Sequence, residues 1–232
     1  MKHKLFIFGC SYSSKFEYAG INIDYKNYLN GWPKSWSEIL SDKMGLELVN
    51  HAKGGRSNDS IFDDFCKEST KIQKGDVVII GWSYINRFRI CSTDDNKEYW
   101  VDVSIHDSER ILGQTNFSKR TVEEICLSRD NDLYEMELHN REKLISDYLK
   151  LKKSNLFIWN GGFPFKNQEN YLLERFREGP LETFDTFVDR HGGFTITKET
   201  ENRIHDNHLG KYGHLVQAEL FYDEIIKKYN GE

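Results

Sequence analysis

Two runs in this chain, Leu5–Phe8 and Asp76–Ile80 ("DVVII"), are apolar almost continuously rather than at every second position. A strand that reads this way is buried on both faces, which excludes a sheet with one side in water and demands helices on each side of it. Leu46–Asn50 ("LELVN") and Leu156–Asn160 ("LFIWN") read as two more strands. The helices are legible between them. Trp36–Met44 places Trp36, Ile39, Leu40 and Met44 at helical spacing, with Gly45 as the stop. Ile61–Ile72 carries Ile61, Phe62, Phe65 and Ile72, and Ser57, Asn58, Asp59 and Ser60 before it are cap candidates. A long helix is expected from Leu133 to Lys152, a short one at Tyr171–Phe176, and a closing one from Lys211 to Tyr229 with Leu215, Ala218, Phe221 or Tyr222, and Ile225 on one face. Strands alternating with helices imply parallel pairing, because only crossovers of helical length join parallel strands. The expected fold is therefore α/β, a three-layer αβα sandwich. From about Phe88 to Asn131 the chain is polar and irregular, apart from an alternating stretch at Glu98–Ile105 ("EYWVDVSI"), so residues 88–131 read as an insertion containing a hairpin strand.

The 232 residues fit one domain spanning 1–232. A formal net charge of −5 supplies no basic field to draw the chain onto nucleic acid, so a small-molecule or glycan partner is expected. Cys10, Cys66, Cys91 and Cys126 form no Cys-x-x-Cys pair and show no metal-ligand spacing, so neither a metal nor a disulfide framework is expected. No apolar stretch is long enough for a signal peptide or a membrane span, which leads to the expectation of a cytoplasmic protein without a membrane partner. Nothing in the pattern indicates a cofactor, and nothing bears on oligomeric state.

In a parallel sheet, ligands sit beyond the carboxyl ends of the strands, so what each strand runs into matters most. The first ends in Gly9-Cys10-Ser11-Tyr12-Ser13, the second runs into Asn50-His51-Ala52-Lys53-Gly54-Gly55-Arg56-Ser57-Asn58, and the third ends in Gly81-Trp82-Ser83. Near the other end of the chain, Asp206-Asn207-His208 precedes the last helix. In an extended segment, side chains two positions apart fall on the same side, so a carboxylate at Asp206 can orient the imidazole of His208 toward a hydroxyl. The alternative is that Asp206 or Asn207 caps the helix and His208 lies at the surface.

In order and approximate spacing, these blocks resemble the SGNH hydrolases, the GDSL-like esterases and lipases. Gly9-Cys10-Ser11-Tyr12-Ser13 is similar to the family's Gly-Asp-Ser-x-Ser block, which implies Ser11 as nucleophile. Gly55 falls where the second block has its glycine, five residues after an asparagine, here Asn50. "DNHLGKYGH", Asp206 to His214, is similar to the last block and implies that Asp206 and His208 complete a triad. The family implies a flavodoxin-like αβα plan. Two positions depart from its pattern: Cys10 stands where the first block has aspartate, and Ser83 where the third block, Gly-x-Asn-Asp, has its asparagine.

On this resemblance the expected chemistry is hydrolysis of an ester, such as a small acyl (acetyl) group on a carbohydrate or other polar acceptor. His208 would take the proton of Ser11, Asp206 would orient the imidazole, and the backbone N–H groups of Ser11 and Gly55, with Ser83, would form the oxyanion hole. His205 neighbours Asp206 and points the other way, while His214 falls in the first turn of the last helix. Arg87 is a candidate for binding an anionic substrate group or a surface ion pair, Trp82 for stacking on a sugar or for core packing, and Asn58 for substrate contact or for capping the following helix. Two other readings stand beside the hydrolase: a catalytically decayed binding or structural module on the same fold, and a phosphate-binding turn at Gly9–Lys15.

Overall fold

Strand β1 (Lys4–Gly9) shows why the opening run is apolar throughout. Leu5 and Ile7 pack with Trp36, Leu40, Phe157, Phe221 and Ile225, whereas Phe6 and Phe8 turn the other way, onto Ile61, Phe65, Leu138, Ile145 and Leu149. Two cores on opposite faces of one strand leave no position for a polar side chain. The computed structural model describes residues 2–19, 23–85, 87–94, 97–104, 112–113, 115–128, 131–160 and 208–230.

After β1 come α1 (Ile23–Tyr28), α2 (Trp36–Met44), β2 (Glu47–Asn50), α3 (Asn58–Glu68) and β3 (Val77–Trp82). A hairpin of β4 (Arg87–Asp94) and β5 (Lys97–Ser104) follows, then α4 (Lys119–Leu127), α5 (Asn131–Lys152), β6 (Asn155–Asn160) and α6 (Lys211–Asn230). Among the described residues, β2, β1, β3 and β6 form a parallel sheet in that order, flanked by helices. From β1 the chain moves to β2 on one side and then crosses back past β1 to β3 on the other. The carboxyl ends of β1 and β3 therefore flank a topological switch point, where sheets of this kind open a crevice.

Local chemistry explains the element ends. The N–H and hydroxyl of Ser35 both donate to the Glu38 carboxylate at the start of α2, and Gly45 closes that helix with φ +66°. α3 begins earlier than its apolar spacing predicts, with Ser57 rather than Asn58 as its cap, the Ser57 hydroxyl accepting from the N–H of Ser60. In α6 the expected face is partly corrected: Ala218, Phe221 and Ile225 are buried, but Leu215 is exposed and the buried stripe continues through His214 and Gln217. The expected helix at Tyr171–Phe176 lies outside the described residues.

The stretch after β3 is more regular than its polarity suggests. Phe88, Ile90, Val101 and Val103 of the hairpin pack with Val122 and Ile125 of α4 in a small core of their own. Asp102 of β5 fastens the hairpin to α3: its carboxylate accepts from the N–H and hydroxyl of Ser57, from the hydroxyl of Ser60 and from Arg56. A carboxylate at a helix N-terminus also meets the positive end of the helix dipole. The hairpin is thereby anchored opposite Arg89, two residues after β4 begins at Arg87.

Gly9 and Gly81 are paired across β1 and β3. The side chain of Ser13, fully buried, lies against both: a Cβ on Gly9 would come within 2.5 Å of Ser13 Oγ, and one on Gly81 within 2.5 Å of Trp159 Nε1. Because neither neighbour has room to retreat in a close-packed interior, Gly9→Ala is expected to cost about 1–3 kcal/mol in urea unfolding. A Gly9→Ala protein as stable as wild type would show that the turn yields.

Candidate active site

Three loops converge at the carboxyl end of the sheet. Ser11 opens a single 3-10 turn, Ser11–Ser13, directly after β1, and the N–H and hydroxyl of Ser14 both donate to the Ser11 carbonyl. The loop after β2 is knitted to the same strand end, the N–H of His51 donating to Ile7 O at 2.8 Å and that of Lys53 to Gly9 O at 3.2 Å. Asn50 secures the junction: its Nδ2 donates to Ser13 O (3.0 Å) and Ser37 Oγ (2.9 Å), and its Oδ1 accepts from Ala52 N–H (2.8 Å). Gly55 adopts φ +78°, a left-handed conformation that favours glycine over any residue with a side chain.

The third loop repeats the first. Gly9-Cys10-Ser11-Tyr12 and Gly81-Trp82-Ser83-Tyr84 share the pattern Gly-x-Ser-Tyr, and since Gly9 and Gly81 are in register, the two serines leave adjoining strands at matched places. The tyrosine hydroxyls meet at 3.1 Å. The side-chain amide of Asn58, fully buried, clamps the main chain of Ser83: Oδ1 accepts from Ser83 N–H at 2.7 Å, and Nδ2 donates to Ser83 O at 3.2 Å. Arg87 donates from Nη1 to Ser83 Oγ at 3.0 Å and stacks its guanidinium over the Tyr84 ring at 5.1 Å.

His208 reaches this group from far along the chain. Its ring stacks on Tyr12 with centroids 5.0 Å apart, and its Nε2 is withdrawn from solvent. The base candidate thus lies against the residue that follows Ser11. Burial, and after it the hydrogen bond with Tyr84, holds the Tyr12 phenol far above its ordinary range, so Tyr12 stays neutral and is no competing base. Asp206 and His205 lie outside the described residues.

His214 has a different occupation. It is buried, its Nδ1 accepts the N–H of Trp36 at 2.9 Å, and its ring packs on Phe16 at 4.4 Å. That N–H belongs to the first turn of α2 and has no partner within its own helix, so the imidazole supplies the missing acceptor. Burial, with the nearby His208 adding to it, pushes the pKa of His214 down to about 3. A neutral ring accepting at Nδ1 carries its proton on Nε2. Trp36 in turn donates its indole N–H to Tyr12 O at 2.8 Å, tying the start of α6, through α2, to the Ser11 turn.

Two substrate-contact expectations are corrected. Trp82 is fully buried among Phe8, Ile145 and their neighbours and donates its indole N–H to Glu142 at 2.7 Å, so no ring face is offered to a sugar. Asn58 spends its amide on Ser83 rather than on a ligand or a cap. Ser11 is 5% exposed and Ser83 fully buried. Sequence reading missed Tyr12, Tyr84, Trp36 and Asn50 as parts of the site; the repeated Gly-x-Ser-Tyr was the signal available for the two tyrosines. Among the described residues no cluster of His, Cys, Asp and Glu is placed to hold a metal, and no helix is long and apolar enough to cross a membrane. No protein-family model matches the chain, and no curated protein sequence matches it.

Proposed function

We propose that this chain is a serine hydrolase of the SGNH type that cleaves an ester, such as a small acyl (acetyl) group on a carbohydrate or other polar acceptor. The observation that carries the reading is the stacking of His208 on Tyr12, which brings an imidazole from the far end of the sequence to the residue next to Ser11, at a switch point of the sheet. The fold that goes with it is a flavodoxin-like three-layer αβα sandwich with residues 88–131 as an insertion, and the alternation of β1 side chains between two cores supports this. The unpaired thiols of Cys10, Cys66 and Cys91 favour a reducing, cytoplasmic setting.

In the mechanism, Ser11 Oγ attacks the ester carbonyl carbon while its proton passes to His208, and the carbonyl π pair moves onto oxygen. Collapse expels the alcohol oxygen, which takes the proton from His208, and leaves Ser11 acylated. Water, deprotonated by the same imidazole, then releases the acid and restores Ser11. Asp206 is the orienting carboxylate on this reading, and the backbone N–H groups of Ser11 and Gly55 are oxyanion donors.

A fluorophosphonate probe tests the proposal, because only an activated serine displaces its fluoride. Wild type should be labelled, with the adduct mapping to Ser11, and Ser11→Ala should not. The burial of Ser11 and Ser83 favours the competing reading, a catalytically decayed binding or structural module, which expects no labelling of the wild-type protein. That result, or labelling that survives Ser11→Ala, would sink the hydrolase.

A further inference from the structure

Ser83 stands where the SGNH pattern has an asparagine, and a serine lacks the amide that would serve as a side-chain oxyanion donor. The geometry points to a replacement made of two residues: the Ser83 hydroxyl, polarised by Arg87, donates the third hydrogen bond to the oxygen that becomes negative, with Arg87 as the positioning residue behind it. The inference rests on the hydrolase reading above and assigns Arg87 to the machinery of the site rather than to an anionic group of the substrate.

A hydroxyl has one proton and two acceptor lone pairs, whereas a guanidinium only donates. At 3.0 Å from Arg87 Nη1, Ser83 Oγ must accept, and its own proton is directed elsewhere. A hydroxyl that accepts from a cation becomes a stronger donor through its own proton, so the charge of Arg87 is felt one bond further on. Both partners are held. Asn58 grips the N–H and the C=O of Ser83, and Arg87 lies over the Tyr84 ring at the start of the anchored hairpin.

Position agrees with chemistry. With Gly81 in register with Gly9, Ser83 leaves β3 beside the place where Ser11 leaves β1. The pair of matched serines is then differentiated by its neighbours, the segment bearing the base lying against Tyr12 next to Ser11 and a fixed cation lying on Ser83. During attack on the carbonyl by Ser11, the electron pair displaced onto oxygen meets the Ser83 O–H, and no bond to Ser83 or Arg87 forms or breaks. Ser83 is closed to solvent in the free protein, so the acyl oxygen reaches it as side chains at the site move aside on binding, a common adjustment at binding surfaces. A donor shielded from water is worth more to a developing charge than one in water.

The test is a double-mutant cycle on p-nitrophenyl acetate, a neutral ester, with Ser11→Ala run alongside. Ser83→Ala should lower kcat about a hundredfold with little change in KM. Arg87→Met should lower kcat about tenfold, the step from a charge-assisted to an ordinary hydrogen bond, and Arg87→Lys should recover part of it. In the Ser83→Ala background, Arg87→Met should cost nothing further, a coupling that a merely structural arginine would not show. Equal losses from Arg87→Met in both backgrounds, a rise in KM at unchanged kcat, or a Ser83→Ala protein with full kcat would each overturn the inference. Should Arg87→Met not fold by far-UV circular dichroism, Arg87→Gln and Arg87→Lys complete the same cycle. Absence of any Ser11-dependent turnover would overturn the hydrolase and this inference together, whereas Ser11-dependent turnover indifferent to Ser83 overturns this inference alone.

Discussion

Replacing His208 with alanine should abolish turnover of a short-chain ester, lowering kcat by on the order of 10^6 as loss of the base does in serine hydrolases, while the protein stays folded. A serine hydroxyl holds its proton too tightly at neutral pH to attack without a base in reach, so removing the imidazole removes the nucleophile as well. His208 is set apart by its stacking on Tyr12 beside Ser11. It is only partly buried and contributes little to either large core, which is why the loss should appear in the rate and not in the unfolding midpoint. His205→Ala should keep most activity. His214→Asn should keep it too, since the Asn Oδ1 can take the place of Nδ1 as acceptor for the Trp36 N–H. Steady-state kinetics on the three purified variants, with thermal midpoints measured in parallel, decide the matter. Equal loss of kcat in all three would dismiss His208 as the base, and so would a His208→Ala protein that is inactive because it is unfolded.

The sheet was readable because burial on both faces leaves a signature that depends on no partner: "LFIF" and "DVVII" admit no polar alternation. Trp36–Met44 was readable to the residue because its stop is chemical, a glycine in the left-handed region. What stayed hidden depended on tertiary company. β4 looks polar because Arg87, Arg89 and Ser92 interrupt it, yet Arg89 is neutralised by Asp63 of α3, and Phe88 and Ile90 find Val101, Val103 and α4. The stripe of α6 was misplaced at Leu215 because periodicity prefers leucine to histidine and glutamine. The packing of Phe16 and the Trp36 N–H, which has no acceptor within its own helix, reverse that preference in favour of His214. At the site, the Ser11 turn, the glycine loop and His208 were legible as blocks of sequence. Trp82 and Asn58 were not, because whether a strand-end aromatic or amide faces a ligand or the interior depends on what occupies the neighbouring layer.

His214 also sets how this protein should respond to acid. An unfolded histidine binds a proton below about pH 6.5, whereas the folded ring, buried and accepting from Trp36, resists protonation until about pH 3. Between those values the unfolded chain carries one proton more than the native one, so stability rises with pH by about 1.4 kcal/mol per unit. The contribution is complete above pH 6.5 and is lost as the pH falls toward 3, amounting to about 5 kcal/mol over the whole span. Against the roughly 5–15 kcal/mol typical of a folded domain, the ~2 kcal/mol lost by pH 5 is already a sizeable fraction of the stability. Urea unfolding of wild type and His214→Asn at pH 7.5, 6, 5 and 4 isolates the effect, because the carboxylates and His51 titrate alike in both and cancel in the difference. The two curves should run together above pH 7 and diverge steadily below 6, the wild type falling faster. His214→Ala, which leaves the Trp36 N–H without an acceptor and a space beside Phe16, should instead lose about 2–4 kcal/mol at neutral pH. Parallel curves for wild type and His214→Asn down to pH 4 would mean that the folded ring takes up its proton freely, and the buried clasp between α2 and α6 would have to be given up.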